Sequence, residues 1–175
     1  MHVLEKNGVS LTRQEGTSSA AKILLACSAG GHLTEMRQLE SLYKVYAHFF
    51  VTFERPDTRS LAEKEKVLFI ERPARNPIKT IKSFFQAWKI VASEKPRIVI
   101  STGADVTVPV SIAAKLQGIP VVFIESFCRY QRPSITGKIH LLFADYVLYQ
   151  WAQLKPFYKR GIFSGPIFSV EGDKS

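Results

Sequence analysis

A chain of 175 residues with 46% hydrophobic and 22% charged side chains is long enough for one packed domain and too short for two ordinary enzyme lobes. Its 11% aromatic content and modest glycine and proline counts exclude a wholly disordered, collagenous or disulfide-stapled protein. With 24 Lys and Arg against 15 Asp and Glu the formal charge is +9, which favours an anionic partner: nucleic acid, a phosphorylated ligand or an acidic membrane.

In chain order, residues 1 to 21 are rich in Ser, Thr, Gly, Glu and Gln and read as a flexible leader outside the fold. Short β-type runs then alternate with helical patterns. Strands are expected over Lys22–Cys27, Tyr46–Thr52, Val67–Ile70, Arg97–Ser101, Pro120–Ile124 and Tyr146–Tyr149. Helices are expected over Thr34–Tyr43, Asp57–Lys64, Pro77–Ser93, Val106–Gln117 and Ser134–Phe143, with a further helix and strand reaching Ser164. Such βα alternation specifies an α/β fold with a doubly wound, Rossmann-like parallel sheet over residues 22–168, followed by a tail over 169–175. Cys27 and Cys128 each lie in or just after an apolar run and read as buried, unlinked thiols of a reducing compartment. No signal peptide and no membrane-spanning helix are expected, so any membrane contact is peripheral.

The charge is regional. Residues 72–97 contribute +6 and residues 129–160 contribute +5, leaving the remainder at −2; this is the pattern of one or two binding faces. In a doubly wound sheet ligands sit beyond the carboxyl ends of the strands, which confines the chemistry to a few loops. The first, Cys27-Ser28-Ala29-Gly30-Gly31-His32, joins a strand to a helix, and its small residues let backbone amides approach an anion. It matches a dinucleotide fingerprint at one glycine of three, with Glu54 placed where a ribose-binding acid would lie; nucleotide-cofactor binding is therefore an alternative. The second, Ser101-Thr102-Gly103-Ala104-Asp105, offers Asp105 as a helix N-cap. In the third, Glu125 to Pro133, an acid leaves an apolar strand and is followed by Arg129 and Arg132, whose guanidinium groups suit phosphate or carboxylate.

The runs ILLACSAGGHLTEM, PRIVISTGADVTVPVSIAAKLQGIPVVFIESFCR, TGKIHLLFADYVLYQW and SGPIF resemble, in order and spacing, the PssD/CpsF family of bacterial polysaccharide biosynthesis proteins. That family is similar to the membrane-anchoring subunit of the eukaryotic two-part transferase that adds the second sugar to dolichol diphosphate. The resemblance covers about Lys22 to Phe168. It implies the N-terminal, acceptor half of a GT-B glycosyltransferase such as MurG. The implied reaction is inverting transfer of a sugar from a nucleotide sugar to an undecaprenyl-diphosphate-linked saccharide, in exopolysaccharide or capsule biosynthesis at the cytoplasmic face of the cell membrane. The donor site would belong to a separate small glycosyltransferase subunit, so the chain alone is expected to be inactive. Under this reading His32 is the first candidate for the catalytic base and Glu125 the second. Ser28, Gly30, Gly31, Thr102, Gly103, Arg129 and Arg132 are the candidate acceptor- or phosphate-binding residues. No cofactor and no metal are called for.

The eukaryotic subunit carries an N-terminal membrane helix, whereas the leader here is polar; the helix Pro77–Ser93 supplies another anchor. On a 100° wheel Ile81, Phe84, Phe85, Trp88, Val91 and Ala92 fall between about 220° and 360°, beside Lys79, Lys82 and Lys89 at about 20° to 100°. The alternative use of this face is to cover the sheet as any crossover helix does. Lys79, Lys82, Phe84, Phe85, Trp88 and Lys89 are the candidate contacts to an anionic membrane. The sequence carries no RNP, helix-turn-helix or zinc pattern, so nucleic acid is not an expected partner. The rival to an enzyme subunit is a non-catalytic adaptor that holds a catalytic partner at the membrane.

Overall fold

The computed structural model describes residues 21–168; the expected leader and tail lie almost wholly outside them. The elements follow in the order β1 (Lys22–Ala26), α1 (Gly31–Arg37), α2 (Glu40–Tyr43), β2 (Ala47–Thr52), α3 (Pro56–Ala62), β3 (Val67–Phe69), α4 (Pro77–Glu94), β4 (Ile98–Ser101), α5 (Thr107–Leu116), β5 (Val121–Ile124), α6 (Ile135–His140), β6 (Tyr146–Tyr149), a 3₁₀ turn (Ala152–Leu154) and β7 (Ile162–Phe163). The strands form one sheet of order β3-β2-β1-β4-β5-β6-β7, every pairing parallel. The order reverses between β1 and β4, so the loops after these two strands open a crevice at the carboxyl edge.

Alternation along the strands sends side chains to the two faces of the sheet, with a smaller third cluster of Phe123, Val147, Tyr149, Leu154 and Tyr158 at the β5–β6 end. Leu24, Ala26, Phe49, Val51, Val99 and Val121 face α4 and α5 through Ala87, Val91, Val106, Val110, Ala113 and Ala114. Ile23, Leu25, Cys27, Phe50 and Ile100 face α1, α2 and α3 through Leu33, Met36, Tyr43 and Leu61. Leu24, Leu25, Phe49 and Phe50 are fully sealed, each burial stabilising by about 1.5–3 kcal/mol. Buried on both sides, the central strands read as continuous apolar runs.

The helix expected over Thr34–Tyr43 starts earlier and is cut in two. Gln38 and Leu39 donate to Glu35 and Met36 respectively, and these tight three-residue turns end α1 before α2 begins. The expectation for Cys128 was wrong: Cys27 is buried, its thiol pushed up to about 12 by burial first and by Asp57 second, but Cys128 is exposed. Its loop leaves the sheet rather than crossing the core.

α4 starts at an Asn76 cap whose side chain accepts from Lys79 N–H, with Pro77 in the first turn, and ends at Lys95 in the left-handed conformation. Its 18 residues fully bury only Ser83, Ala87 and Val91, with Phe84 and Ile90 packed partly beneath. The apolar arc read as one face is thus two. Phe84 and Val91 belong to the core side, whereas Ile78 (78% exposed), Ile81 (58%), Phe85 (58%) and Trp88 (37%) form a separate outward stripe.

Candidate functional site

Two adjoining cavities lie over the carboxyl edge of the sheet. The smaller, about 410 Å³, sits between the loops after β1, β2, β3 and β4 and is lined by Ser28, Gly30, Phe53, Arg55, Asp57 and Arg72, among others. The larger, about 680 Å³, lies over the reversal between β1 and β4 and extends to α6; its lining includes His32, Glu35, Arg75, Ser126 and Arg129. Arg72, Ala104 and Asp105 form the shared wall.

That wall is held in a costly backbone shape. Ala74 (φ 48°), Arg75 (φ 60°) and Ala104 (φ 79°) all occupy the left-handed region, at about 1–3 kcal/mol each. Asp105 stabilises it. Its carboxylate accepts from Ala74 N–H at 3.0 Å and from Val106 N–H at 3.0 Å, and Arg72 lies 3.6 Å away with its guanidinium 4.9 Å from the centre of the Phe53 ring. Asp105 is therefore not the helix N-cap expected for it; the cap of α5 is Val106, with no side-chain bond. The carboxylate ties the loop before α4 to the loop after β4 instead.

His32 opens α1, its side chain 29% exposed. Gly103 (φ 101°) lies against the ring, so that a Cβ there would sit 3.5 Å from His32 Cε1. Thr102 is buried and its hydroxyl donates to the His32 carbonyl at 2.9 Å. Thr102 thus holds the His32 backbone and Gly103 its ring, and neither lines the two cavities. Gly30 (φ 77°) needs the freedom of glycine to turn the chain, but its amide donates to Asp57 Oδ2 at 2.7 Å, so this N–H is already committed to a carboxylate. Ser28 lines the smaller cavity and donates to its neighbour's carbonyl at 3.0 Å. Gly31 and Arg129 line the larger cavity; Arg132 is exposed and lines neither. Glu54 is paired with Arg59 at 2.9 Å.

Glu125 does not face the ligand edge. It is 1% exposed, and both carboxylate oxygens are engaged. Oε1 accepts from Ser126 N–H (2.9 Å), and Oε2 accepts from Ser134 N–H (2.9 Å), the Ser134 hydroxyl (3.2 Å) and the Tyr158 hydroxyl. A Cβ at Gly137 would run into both Tyr158 and Glu125, so α6 seals the cluster from above. Burial, and then the carboxylate beside it, pushes the Tyr158 phenol up. Besides Asp105, the acid that lines the larger cavity is Glu35, 3% exposed; its one signal in the sequence is the three-residue spacing from His32 along α1. In the sequence Arg72 and Arg75 stand out only as members of a basic stretch.

The arrangement offers a cleft lined by an imidazole, three arginines (Arg72, Arg75 and Arg129) and the apolar Ile135, 71% exposed. Chemically it can hold a phosphorylated group with an apolar extension and take a proton from a hydroxyl.

A Rossmann-like parallel sheet with its cleft at the β1/β4 reversal has the fold of one lobe of a GT-B glycosyltransferase. The structure matches MurG from Acinetobacter baumannii with a TM-score of 0.65 at 17% identity, covering 76% of this chain and 42% of that one. Residues 71–167 match the family model described as "Oligosaccharide biosynthesis protein Alg14 like", and the chain belongs to this family. It is similar to the human UDP-N-acetylglucosamine transferase subunit ALG14, 28% identical over 178 residues that span 83% of this chain and 82% of the relative. It is also similar, at 57% identity over 51 residues, to the Clostridium botulinum UDP-N-acetylglucosamine–N-acetylmuramyl-(pentapeptide) pyrophosphoryl-undecaprenol N-acetylglucosamine transferase, covering 29% of this chain and 14% of that enzyme. The chain thus spans most of the human subunit but only about two-fifths of the MurG structure. These relationships connect it with glycosyl transfer and lipid-linked saccharides. No helix among the described residues is long and apolar enough to cross a membrane.

Proposed function

We propose that the chain is the acceptor-binding, membrane-recruiting subunit of a two-component inverting glycosyltransferase of the PssD/CpsF type. It would act in exopolysaccharide or capsule biosynthesis on the inner face of the cell membrane. The acceptor is an undecaprenyl-diphosphate-linked saccharide and the donor a nucleotide sugar held by a small partner subunit. Residues 22–168 form the acceptor domain, flanked by a leader and a short tail.

The observation that carries this reading is the larger cavity. His32, Arg72, Arg75 and Arg129 all line it, and the lining reaches the first turn of α4 at Thr80. A lipid-linked diphosphate would enter from the membrane plane, its phosphates held by Arg129, Arg72 and Arg75 and its prenyl chain left in the bilayer beside Ile78, Ile81, Phe85 and Trp88. Lys89 and the paired Lys79 and Lys82 face the headgroups. His32 takes the proton from the acceptor hydroxyl as its oxygen attacks the anomeric carbon. The bond from that carbon to the nucleotide diphosphate breaks, the diphosphate leaves with the electron pair, and the configuration inverts.

The test is to co-purify the chain with a small donor-binding subunit and assay transfer from a panel of nucleotide sugars to undecaprenyl-diphosphate saccharide. The isolated chain should be inactive and the assembled pair active. Calorimetry that finds tight, stoichiometric binding of a nucleotide sugar to the isolated chain would defeat the division of labour.

A further inference from the structure

Resting on the reading of His32 as the base, we propose that Glu35 is its positioning residue, accepting a hydrogen bond from Nδ1–H so that Nε2 presents its lone pair to the cavity. Glu35 follows His32 by one turn of α1, and its two oxygens have different fates. Oε1 is used twice, by the Ser126 hydroxyl at 2.8 Å and by Phe127 N–H at 2.8 Å. Oε2 is buried and has no hydrogen-bond partner among the described residues, and the same is true of His32 Nδ1. These two orphaned atoms face each other at 3.7 Å, just beyond hydrogen-bond length.

Leaving a buried polar atom unpaired costs about 1–3 kcal/mol, so a small rotation that closes the gap satisfies two groups at once. Hydrogen bonds of this kind are often long before substrate arrives and tighten in the complex. A carboxylate only accepts, which fixes the proton on Nδ1 and leaves Nε2 as the acceptor. When the acceptor hydroxyl gives up its proton, the imidazolium that forms lies beside the same carboxylate. Gly103 lies against the ring edge, and Thr102 holds the backbone at His32 through its carbonyl. The other carboxylate oxygen meanwhile anchors the loop that carries Arg129, so one side chain sets both the base and the anion-binding loop.

The decisive variant is Glu35→Gln. Its single amide oxygen can continue to accept from Ser126 and Phe127, which turns the NH₂ group toward His32 Nδ1. A donor there forces the ring proton onto Nε2 and removes the lone pair from the cavity. Ring-nitrogen chemical shifts of His32 in the ¹⁵N-labelled chain, near pH 8 where a free imidazole is neutral, should report Nδ1–H in the native protein and Nε2–H in Glu35→Gln, at an unchanged denaturation midpoint. Turnover of the assembled transferase should fall on the order of 10²-fold with partner binding intact. The same tautomer in both proteins, or full turnover by Glu35→Gln where His32→Ala has lost it, would overturn the proposal and reduce Glu35 to a loop anchor. If Glu35→Gln does not fold, the native chain decides by itself: an Nε2–H tautomer of His32 there overturns the assignment. A tautomer switch accompanied by undiminished turnover of His32→Ala would uphold the positioning role while defeating the base reading on which its purpose rests.

Discussion

Glu35 and Glu125 are both almost completely buried carboxylates, and they lie on either side of Ser126. At Glu125 every oxygen is engaged, by Ser126, Ser134 and Tyr158, under the lid that Gly137 permits. At Glu35 one oxygen is engaged and the other is turned to His32 with no bond made. The contrast teaches that burial alone does not mark a working acid. A saturated carboxylate is a structural knot, whereas one with an acceptor left over beside an imidazole can act on something outside the fold.

The sharpest way to break this comparison is Glu125→Ala. It strands the Tyr158 hydroxyl and the Ser126 and Ser134 amides, so the chain should lose at least about 3 kcal/mol of stability, read as a lowered midpoint in chemical denaturation. Whatever fraction remains folded should assemble and turn over normally. A stable but inactive Glu125→Ala would reverse the roles of the two glutamates. His32→Ala is the converse experiment: stability and partner binding should hold while turnover of the assembled complex drops on the order of 10²-fold. Near-native turnover would place catalysis wholly on the partner and make this chain an adaptor.

A third, smaller effect belongs to the side of the molecule that Glu125 helps close. His140 is fully buried, stacked on Phe123 at 4.3 Å and bonded to the Ser111 hydroxyl and the Thr136 carbonyl. Burial, opposed by the Thr136 carbonyl, lowers its pKa to about 4 from the ordinary 6.5. The folded state therefore prefers the neutral ring, and this contribution is fully present above about pH 6.5 and is lost as pH falls toward 4. Of the order of 2 kcal/mol should disappear over that window. Denaturation midpoints between pH 7 and pH 5, above most carboxylate titrations, should fall in the native chain and stay nearly flat in His140→Gln. Equal slopes would mean that His140 is not the group responsible.

Much of this architecture is written in local pattern. Short apolar runs such as Ile23–Ala26, between Lys22 and Cys27-Ser28, and Val121–Ile124, between Pro120 and Glu125, read as buried parallel strands once helical periods lie between them, and the sheet follows. The direction of a side chain at a strand's end is written less openly. Phe123 points to the α6 side and Ile124 to the other, so Glu125 continues the alternation and turns under α6 instead of out to the crevice. Glu35 was obscured for a different reason: on an isolated wheel an acid in the first turns of a helix looks like solvent-facing charge, and only the Ser126–Phe127 loop, which is 91 residues away from it at Ser126, buries it. Helical periodicity likewise cannot divide one apolar arc between two partners, which is why Phe84 and Phe85 were read together.

That division of α4 gives the last and smallest effect. Phe84 packs against the core, whereas Ile81, Phe85 and Trp88 point outward. Replacing the outward three with serine should weaken binding to anionic vesicles at least about tenfold, since burying each such side chain in an interface is worth on the order of 1 kcal/mol or more, and should leave the melting temperature unchanged. Phe84→Ser should do the opposite and destabilise the fold. The electrostatic share is graded by Glu71, which lies 2.6 Å from Lys82 Nζ and 3.8 Å from Lys79 Nζ; the Lys82 bond leads in holding its carboxyl below the usual range. A paired lysine offers less net charge to a headgroup, so Glu71→Gln should strengthen vesicle binding at low salt, and the gain should fade as salt screens the surface. If the serine variant sediments with vesicles as well as the native chain does, the outward stripe is not a membrane face. If it instead unfolds with Phe84→Ser, α4 has one face and not two.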